Sequence, residues 1–179
     1  MLKMSGSLLN RPIISLRSGG PIGTALQPII NPHNLKILGW WCKSVIGTGH
    51  LILLVEDVRQ TMPDGLAVND EAALSVPEDL ARHREILKIQ FQLLDKLVKT
   101  KRHKLGKVND YAYDDGSMFV HKLYVARSLI KVFSAEDTLI IDRTQILEVT
   151  DNYILVKDSD VKVTEEEMAP ATAAVPTSG

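Results

Sequence analysis

The chain has 179 residues, of which 45% are apolar and 24% are charged, as is ordinary for a globular protein. Its formal net charge of −1 gives no overall field that would attract nucleic acid or anionic lipid. The single cysteine, Cys42, excludes an intramolecular disulfide and a metal site built from several thiolates.

The first part of the chain has the pattern of short strands separated by turns rich in Gly, Pro and Asn. Residues 1–7 are predicted to be a frayed lead-in. The predicted strands cover 8–16, 22–30, 35–42 and 51–55, and a hairpin over 60–68 turns at Pro63-Asp64-Gly65.

One helix of about three turns is predicted in the middle of the chain. Pro77, Glu78 and Asp79 open it, because proline and acidic residues are favoured in a first helical turn. The spacing of the apolar residues that follow indicates that the helix ends near Ile89 or Gln90.

The remainder of the chain again predicts strands. They cover 94–100, 105–113, 118–126, 138–141, 147–150 and 153–156, with a long loop over 127–137. The tail over 159–179 has almost no large apolar residues, so we expect it to be disordered.

The two sets of strands share a pattern about 85 residues apart. Leu8-Leu9-Asn10 begins the first copy and Leu93-Leu94-Asp95 begins the second, while Gly23 and Gly106 mark one equivalent position. A repeat of this length is typical of a small barrel.

The second copy resembles the PRC-barrel domain, the family of the photosynthetic reaction-centre H subunit and of the C-terminal domain of RimM-type ribosome-maturation factors. The resemblance rests on the run Lys104-Leu105-Gly106-Lys107-Val108-Asn109-Asp110-Tyr111, the turn Asp114-Asp115-Gly116 and the closing Ile146-Leu147-Glu148-Val149. The first copy matches less well, because Thr24-Ala25-Leu26-Gln27-Pro28 replaces the usual charged run.

The resemblance implies a mainly β chain with two tandem small β-barrels joined by one α-helix. The expected divisions are a first barrel over 8–70, a linker and helix over 71–90, a second barrel over 91–158 and the disordered tail over 159–179. Members of this family are adaptors and interaction modules, which implies no catalytic residue and no cofactor. The tandem arrangement resembles the uncharacterised bacterial members best.

The alternation of apolar residues predicts a core for each barrel. In the first barrel it comprises Ile13, Ile29, Ile37, Trp40, Cys42, Ile52 and Val58. In the second it comprises Val98, Val108, Tyr111, Val120, Leu123, Val125, Ile140, Ile146 and Val149.

Trp40 and Trp41 are consecutive on a predicted strand, so their side chains point to opposite faces. Trp40 aligns with Leu123 of the second copy and is expected in the core. Trp41 is then either an anchor for a protein partner or a residue packed under the helix or against the other barrel.

The apolar loop Leu129-Ile130-Lys131-Val132-Phe133 falls outside the strand pattern. Leu129, Ile130 and Phe133 either fill the seam between the barrels or dock a partner, since monomers seldom leave such a group exposed.

A basic segment extends from Lys96 to Lys107. Its candidate contacts are Lys101, Arg102, Lys104 and Lys107, which could bind the phosphates of RNA. The alternative is a solvated hairpin tip, where lysines also discourage pairing between sheet edges.

No catalytic or metal-binding pattern emerges. The five histidines have no partner at ligand spacing, and neither a nucleophile motif nor a phosphate-binding glycine loop is present. The apolar stretches are too interrupted to span a membrane and no signal-peptide pattern opens the chain. We therefore expect a cytoplasmic, non-enzymatic adaptor that binds protein partners, with an RNA- or ribosome-associated factor and a small-molecule or metal sensor as alternatives.

Overall fold

The computed structural model describes residues 1–127 and 138–158. Over this range the protein is mainly β-structure, as the sequence predicts, with fourteen strands and a single α-helix, α1 (Arg84–Ile89). The strands are β1 (Leu2–Met4), β2 (Arg11–Ser15), β3 (Pro21–Ile30), β4 (Ile37–Ser44), β5 (His50–Leu54), β6 (Val58–Met62), β7 (Gly65–Val68), β8 (Leu74–Ser75), β9 (Leu97–Lys99), β10 (Lys104–Asp114), β11 (Val120–Ala126), β12 (Thr138–Asp142), β13 (Ile146–Val149) and β14 (Tyr153–Val156).

The strands form two sheets that share one strand order. The first sheet has the order β6-β7-β2-β3-β4-β5-β8, and the second has the order β13-β14-β9-β10-β11-β12, with β1 added beside β10. Each sheet contains one parallel pair, β2 with β7 and β9 with β14, and its other neighbours are antiparallel. The internal repeat is therefore a repeat of topology.

The strands curl into a half-barrel, and this arrangement does not by itself confirm the two tandem barrels expected from the sequence. Among the described residues, no ladder joins the ends of either sheet: β6 and β8 end the first, and β12 and β13 end the second. A short 3-10 turn precedes β6 and an equivalent one precedes β13, at Val55–Asp57 and Arg143–Gln145.

The turn before β4 recurs before β11. The Leu35 amide donates to the Asn31 carbonyl at 2.8 Å, and the Met118 amide donates to the Asp114 carbonyl at 2.8 Å. Leu35 and Met118 both adopt a positive φ, of 55° and 58°, although neither is glycine. Both side chains are buried, so packing holds these residues in a sparsely populated conformation.

These two turns also join the sheets. Lys36 and Phe119 form an isolated antiparallel bridge, and the Ile37 amide donates to the Met118 carbonyl at 2.7 Å. Because equivalent residues of the two copies meet in antiparallel orientation, an approximate local two-fold axis relates the halves here. The main core cluster accordingly contains side chains from both sheets.

Most of the predicted core is buried. The buried members are Ile13, Ile29, Ile37, Trp40, Cys42, Ile52, Val98, Val108, Tyr111, Val120, Leu123 and Val125. Val58, Ile146 and Val149 are only half-buried, because β6 and β13 lie at or near sheet ends.

The prediction for Ile140 is wrong. Ile140 is 54% exposed, whereas its neighbour Ile141 is 2% exposed and lies opposite Leu123 in the ladder between β11 and β12. Residues directly opposite each other share a face, so the register of β12 places Ile141 in the core and Ile140 in solvent.

Ile29 and Ile52 pack on the opposite face of the first sheet from the main core. With Leu54 and Leu87 of α1 they form a second cluster, against which Trp41 also packs. The first sheet therefore packs against apolar side chains on both faces. Interpreting its alternating apolar residues as the core of one barrel predicts such packing on one face only.

The lead-in predicted to fray is instead a strand of the second sheet. Lys3 lies opposite Tyr113 in the ladder between β1 and β10, and the Lys3 ammonium lies 2.9 Å from the Asp115 carboxylate. The partner is distant in sequence, so no local pattern predicts this pairing.

The predicted helix is shorter than expected. Pro77–Asp79 and Ala81–His83 are 3-10 turns, separated at Leu80 by a non-helical backbone with φ −90° and ψ 60°. Only Arg84–Ile89 is α-helical, and Gln90, with φ 49°, ends the helix in the left-handed conformation. The long loop over 128–137 and the tail over 159–179 lie outside the described residues.

Candidate functional site

A groove of about 720 Å³ lies between the outer face of the first sheet and α1. Leu26, Pro28 and Trp41 line it from β3 and β4, and Ile86 and Leu87 line it from the helix. The second cluster forms its floor, because Ile29 and Leu87 belong to both. We call this feature the apolar groove.

The two tryptophans lie on opposite faces of the first sheet, as predicted. Trp40 is 3% exposed and lies in the main core. Trp41 is half-buried, packs against the second cluster and also lines the apolar groove. Trp41 is thus packed beside the helix and is at the same time accessible from the groove.

Exposed apolar side chains surround the apolar groove. Leu26 and Val76 line it and are 39% and 41% exposed. A smaller depression of about 100 Å³ continues the groove along β3 toward the second half, and it is lined by Leu9 and Leu94, which are 40% and 42% exposed. Leu9 and Leu94 occupy equivalent positions of the repeat. Grouped apolar exposure of this kind marks interaction surfaces.

Exposed amide side chains accompany this apolar surface. Gln27, Gln90 and Gln92 all line the apolar groove and are exposed. A glutamine amide both donates and accepts hydrogen bonds, as a peptide backbone requires of its neighbours. The groove therefore combines apolar walls with groups that can satisfy main-chain amides.

Sequence reasoning missed most residues of this groove. Trp41 is the single groove residue that it proposes as a partner contact. Leu26 and Val76 carried no distinguishing signal, since each stands among other apolar residues of its segment. Their grouping depends on how α1 crosses the sheet, and no local sequence pattern contains that information.

The basic segment forms the hairpin between β9 and β10. Lys101, Arg102, Lys104 and Lys107 are all exposed there. Thr100 fixes the turn, because its buried Oγ1 accepts hydrogen bonds from the Arg102 amide at 3.2 Å and from the His103 amide at 3.1 Å.

A shallow depression of about 420 Å³ lies beside this hairpin. Lys99, Lys101, Arg102, Lys104 and Tyr153 contribute to its lining, and the Lys99 ammonium lies 3.7 Å from the centroid of the Tyr153 ring. Within the described ranges, none of these cations forms a salt bridge. No residue of the hairpin lines the apolar groove, so the two predicted contact surfaces remain separate.

The other predicted partner contacts, Leu129, Ile130 and Phe133, lie outside the described residues.

Carboxyl groups in the second half are held in the ionised form. Hydrogen bonding to the Met1 ammonium, followed by bonding to Ser117, holds the pKa of Asp114 well below its ordinary value. The same ammonium and Lys3 lower the pKa of Asp115, and hydrogen bonds from Thr144 lower that of Asp142. These are the properties of structural turn residues, whereas a general acid requires a raised pKa.

Burial raises the pKa of the Cys42 thiol to about 12. Its Sγ donates to the Trp40 carbonyl at 3.3 Å, so this cysteine is a small, protonated core residue. In residues 1–127 and 138–158, no group of three or more His, Cys, Asp and Glu side chains is arranged to hold a metal ion. The same ranges contain no helix with the length and apolar character needed to cross a bilayer.

No protein-family model matches this chain, and no curated protein matches it either.

Proposed function

We propose that this protein is a non-enzymatic interaction module that holds an apolar segment of a protein partner in the apolar groove. The observation that carries the proposal is the grouping of exposed apolar residues around one concave surface: Leu26 and Val76 at the groove, and Leu9 and Leu94 at its extension. Burying such side chains against a partner contributes roughly 25 cal/mol for each Å² removed from water.

The occupant that fits is an extended or short helical peptide with several apolar side chains. Trp41 supplies a wall of the kind that dominates binding energy at protein interfaces. The exposed amides of Gln27, Gln90 and Gln92 offer hydrogen bonds to a partner's main chain. A wholly apolar small molecule would make no use of these amides, which would stay bonded to water.

The proposal also assigns each half of the chain to a known type of barrel. Each half is a PRC-type barrel module, and the matching strand order with one parallel pair in each sheet supports this assignment. Modules of that family act as adaptors, which agrees with a cytoplasmic partner-binding role that requires neither cofactor nor metal.

Site-specific photo-cross-linking tests this function. A photoreactive amino acid replaces Leu26 in the apolar groove, and a matched control replaces Leu147, which is 51% exposed on β13. Both variants are expressed in the native host and irradiated with and without nuclease treatment. We expect a discrete protein adduct from position 26 that survives nuclease and is absent from position 147.

A second substitution links the adduct to the groove. Val76 lines the groove and is 41% exposed, so Val76→Asp places a charge there without touching the main core. This substitution is expected to abolish the adduct formed at position 26. The same adducts from both photoreactive positions, or an adduct that requires nucleic acid, would refute the proposal.

The basic hairpin supports a second candidate, an RNA- or ribosome-associated factor. The supporting observation is the absence of salt bridges from its cations within the described ranges. Lys101→Glu with Arg102→Glu should weaken RNA binding and reduce its salt dependence by about 1.4 in log–log slope, if each cation contacts one phosphate of a single strand. Arg82→Glu with Lys88→Glu is the control, since it changes the net charge equally elsewhere. Equal RNA binding by the two double variants would exclude this candidate.

A further inference from the structure

The chain leaves the second sheet beside the tip of the basic hairpin. β14 pairs with β9 in parallel, with Leu155 opposite Lys99, so both strands run toward the same end of the sheet. There β9 continues through Thr100 into the hairpin tip, and β14 ends at Val156. Leu155 also lines the shallow depression beside the hairpin, together with the basic side chains. The residues that follow β14 therefore start next to this depression.

The sequence that follows β14 is acidic. Residues 158–167 contain five carboxylates and one lysine, and we call them the acidic segment. Beyond Asp158 the acidic segment lies outside the described residues. The hairpin over 96–107 has the opposite composition, with six lysine and arginine residues and no carboxylate. The carboxylates of the acidic segment are Asp158, Asp160, Glu165, Glu166 and Glu167.

Two cations at the base of the hairpin already have partners. The Lys96 ammonium donates to the Asp151 carbonyl, and the Lys99 ammonium lies 3.7 Å from the centroid of the Tyr153 ring. The cations at the tip are exposed and form no ion pair with any described residue. They are Lys101, Arg102 and Lys104. Because like charges close together repel each other, carboxylates at the tip would lower the electrostatic free energy.

The acidic segment is long enough to reach the tip. Glu165 is seven residues beyond Asp158, and an extended chain of that length spans up to about 25 Å, whereas neighbouring strands such as β14 and β9 lie only about 4.8 Å apart. So short a link holds the two charged groups at an effective concentration in the millimolar range. Pairs between exposed ions are individually weak, so the link and the several charges on each side are both needed for a stable contact.

From this arrangement we propose that the acidic segment binds across the tip of the basic hairpin of the same chain, with its carboxylates facing Lys101, Arg102 and Lys104. The occupant of this surface is thus a part of the protein itself. The contact goes beyond the function proposed for the apolar groove, which no hairpin residue lines. An external polyanion such as RNA has to displace the acidic segment before it reaches these cations.

Paramagnetic relaxation enhancement in the full chain tests the proposal. Met168→Cys, directly after the acidic segment, carries a nitroxide label, while the native Cys42 is buried and stays unlabelled. A segment that is merely tethered also passes near the hairpin, so the reference is the same labelled chain without the three glutamate charges. Its substitutions are Glu165→Gln, Glu166→Gln and Glu167→Gln.

The excess broadening is the difference between these two labelled chains. At low salt we expect the amide signals of residues 101–104 to be broadened at least about twofold more in the chain with the glutamates, a modest factor because exposed ion pairs are individually weak. The excess should disappear in 1 M sodium chloride, where the Debye length is about 3 Å.

An exchange of charges supplies the second arm. Lys101→Glu with Arg102→Glu should remove the excess broadening, and Glu166→Lys with Glu167→Lys should do the same. The four substitutions together should restore about half of the excess or more, because opposite charges then face each other again. A segment held near the hairpin by its link alone would not show this restoration.

Arg82→Glu with Lys88→Glu is the matched control, since it changes the net charge as the hairpin pair does but lies near α1, and it should leave the excess unchanged. Equal broadening in the glutamate and glutamine chains, an excess that 1 M salt leaves in place, or no restoration in the quadruple variant would overturn the proposal. None of these outcomes bears on the photo-cross-link at position 26, so this proposal and that for the apolar groove fail separately.

Discussion

Replacing Gly106 with alanine should destabilise the protein more than any ordinary surface change. A Cβ built on Gly106 would overlap the Ala126 carbonyl of β11, and the residue has φ 150°, which side-chain-bearing residues rarely adopt. Overpacking costs about 1–3 kcal/mol and a glycine-only backbone conformation costs a further ~1–3 kcal/mol. The lower entropy of the unfolded alanine chain offsets about 0.4–1 kcal/mol of this.

The net expectation is a loss of about 2–5 kcal/mol, which is a large part of the total stability of a typical domain. Urea unfolding at pH 7, followed by circular dichroism, measures it. With a slope of ~2 kcal/mol per molar urea, the midpoint should fall by about 1–2.5 M.

Gly23 and Gly20 supply the comparison. At Gly23, the equivalent position of the first copy, a Cβ would lie 2.7 Å from the Lys43 carbonyl of β4 but φ is not positive, so Gly23→Ala should cost a smaller ~1–2 kcal/mol. Gly20 has nothing within 4 Å, and Gly20→Ala should change stability by less than about 0.5 kcal/mol. If Gly106→Ala and Gly20→Ala unfold at the same urea concentration, the close approach of the strands at this position is not real.

Three further outcomes follow from the packing and the titrating groups. Ile141→Ala should cost about 2–4 kcal/mol in urea unfolding and Ile140→Ala less than about 1 kcal/mol, and the reverse ranking would contradict the register of β12. With its pKa raised from 9.0 to about 12, the Cys42 thiolate at pH 8 is roughly a thousandfold rarer than in an ordinary thiol. Labelling by a thiol reagent should therefore follow global unfolding, and rapid labelling of the native protein would show an accessible thiol. The folded pKa of Asp114 is depressed, so its stabilising contribution is present above its ordinary pKa of 3.8 and is lost as the pH falls below that value. The difference in urea midpoint between Asp114→Asn and wild type should shrink below pH 3.8, and a constant difference would contradict the pairing.

The sequence predicted the strands well because their signals are local. Alternating apolar residues bounded by Gly, Pro and Asn turns indicate a strand without knowledge of its partner. The prediction that Trp40 is buried was also local, since successive residues of a strand face opposite sides. The aligned position in the second copy, Leu123, then identified which side was inward.

The missed features are those with partners distant in sequence. The pairing of β1 with β10 depends on a strand about 110 residues further along the chain. The break in the predicted helix at Leu80 also escaped, because helix propensity is weak over so short a segment and packing decides between 3-10 and α-helical turns. The error at Ile140 has a similar origin, since either of two consecutive isoleucines satisfies an apolar strand pattern.

The candidate sites also differ in how far the sequence alone could predict them. The basic hairpin is visible in the sequence because its cations are consecutive, and the structure adds only their freedom from salt bridges within the described ranges. Of the residues that line the apolar groove, the sequence predicted only Trp41 as a partner contact.

The amino-acid sequence by itself determined a mainly β chain with a duplicated strand pattern, because periodicity and turn chemistry act over a few residues. Tertiary structure alone decided the order of the strands in each sheet, the joining of the sheets at equivalent turns, and the groove between α1 and the first sheet. Those outcomes depend on register and on contacts between distant segments, where small differences in packing free energy, and not local preference, select the arrangement.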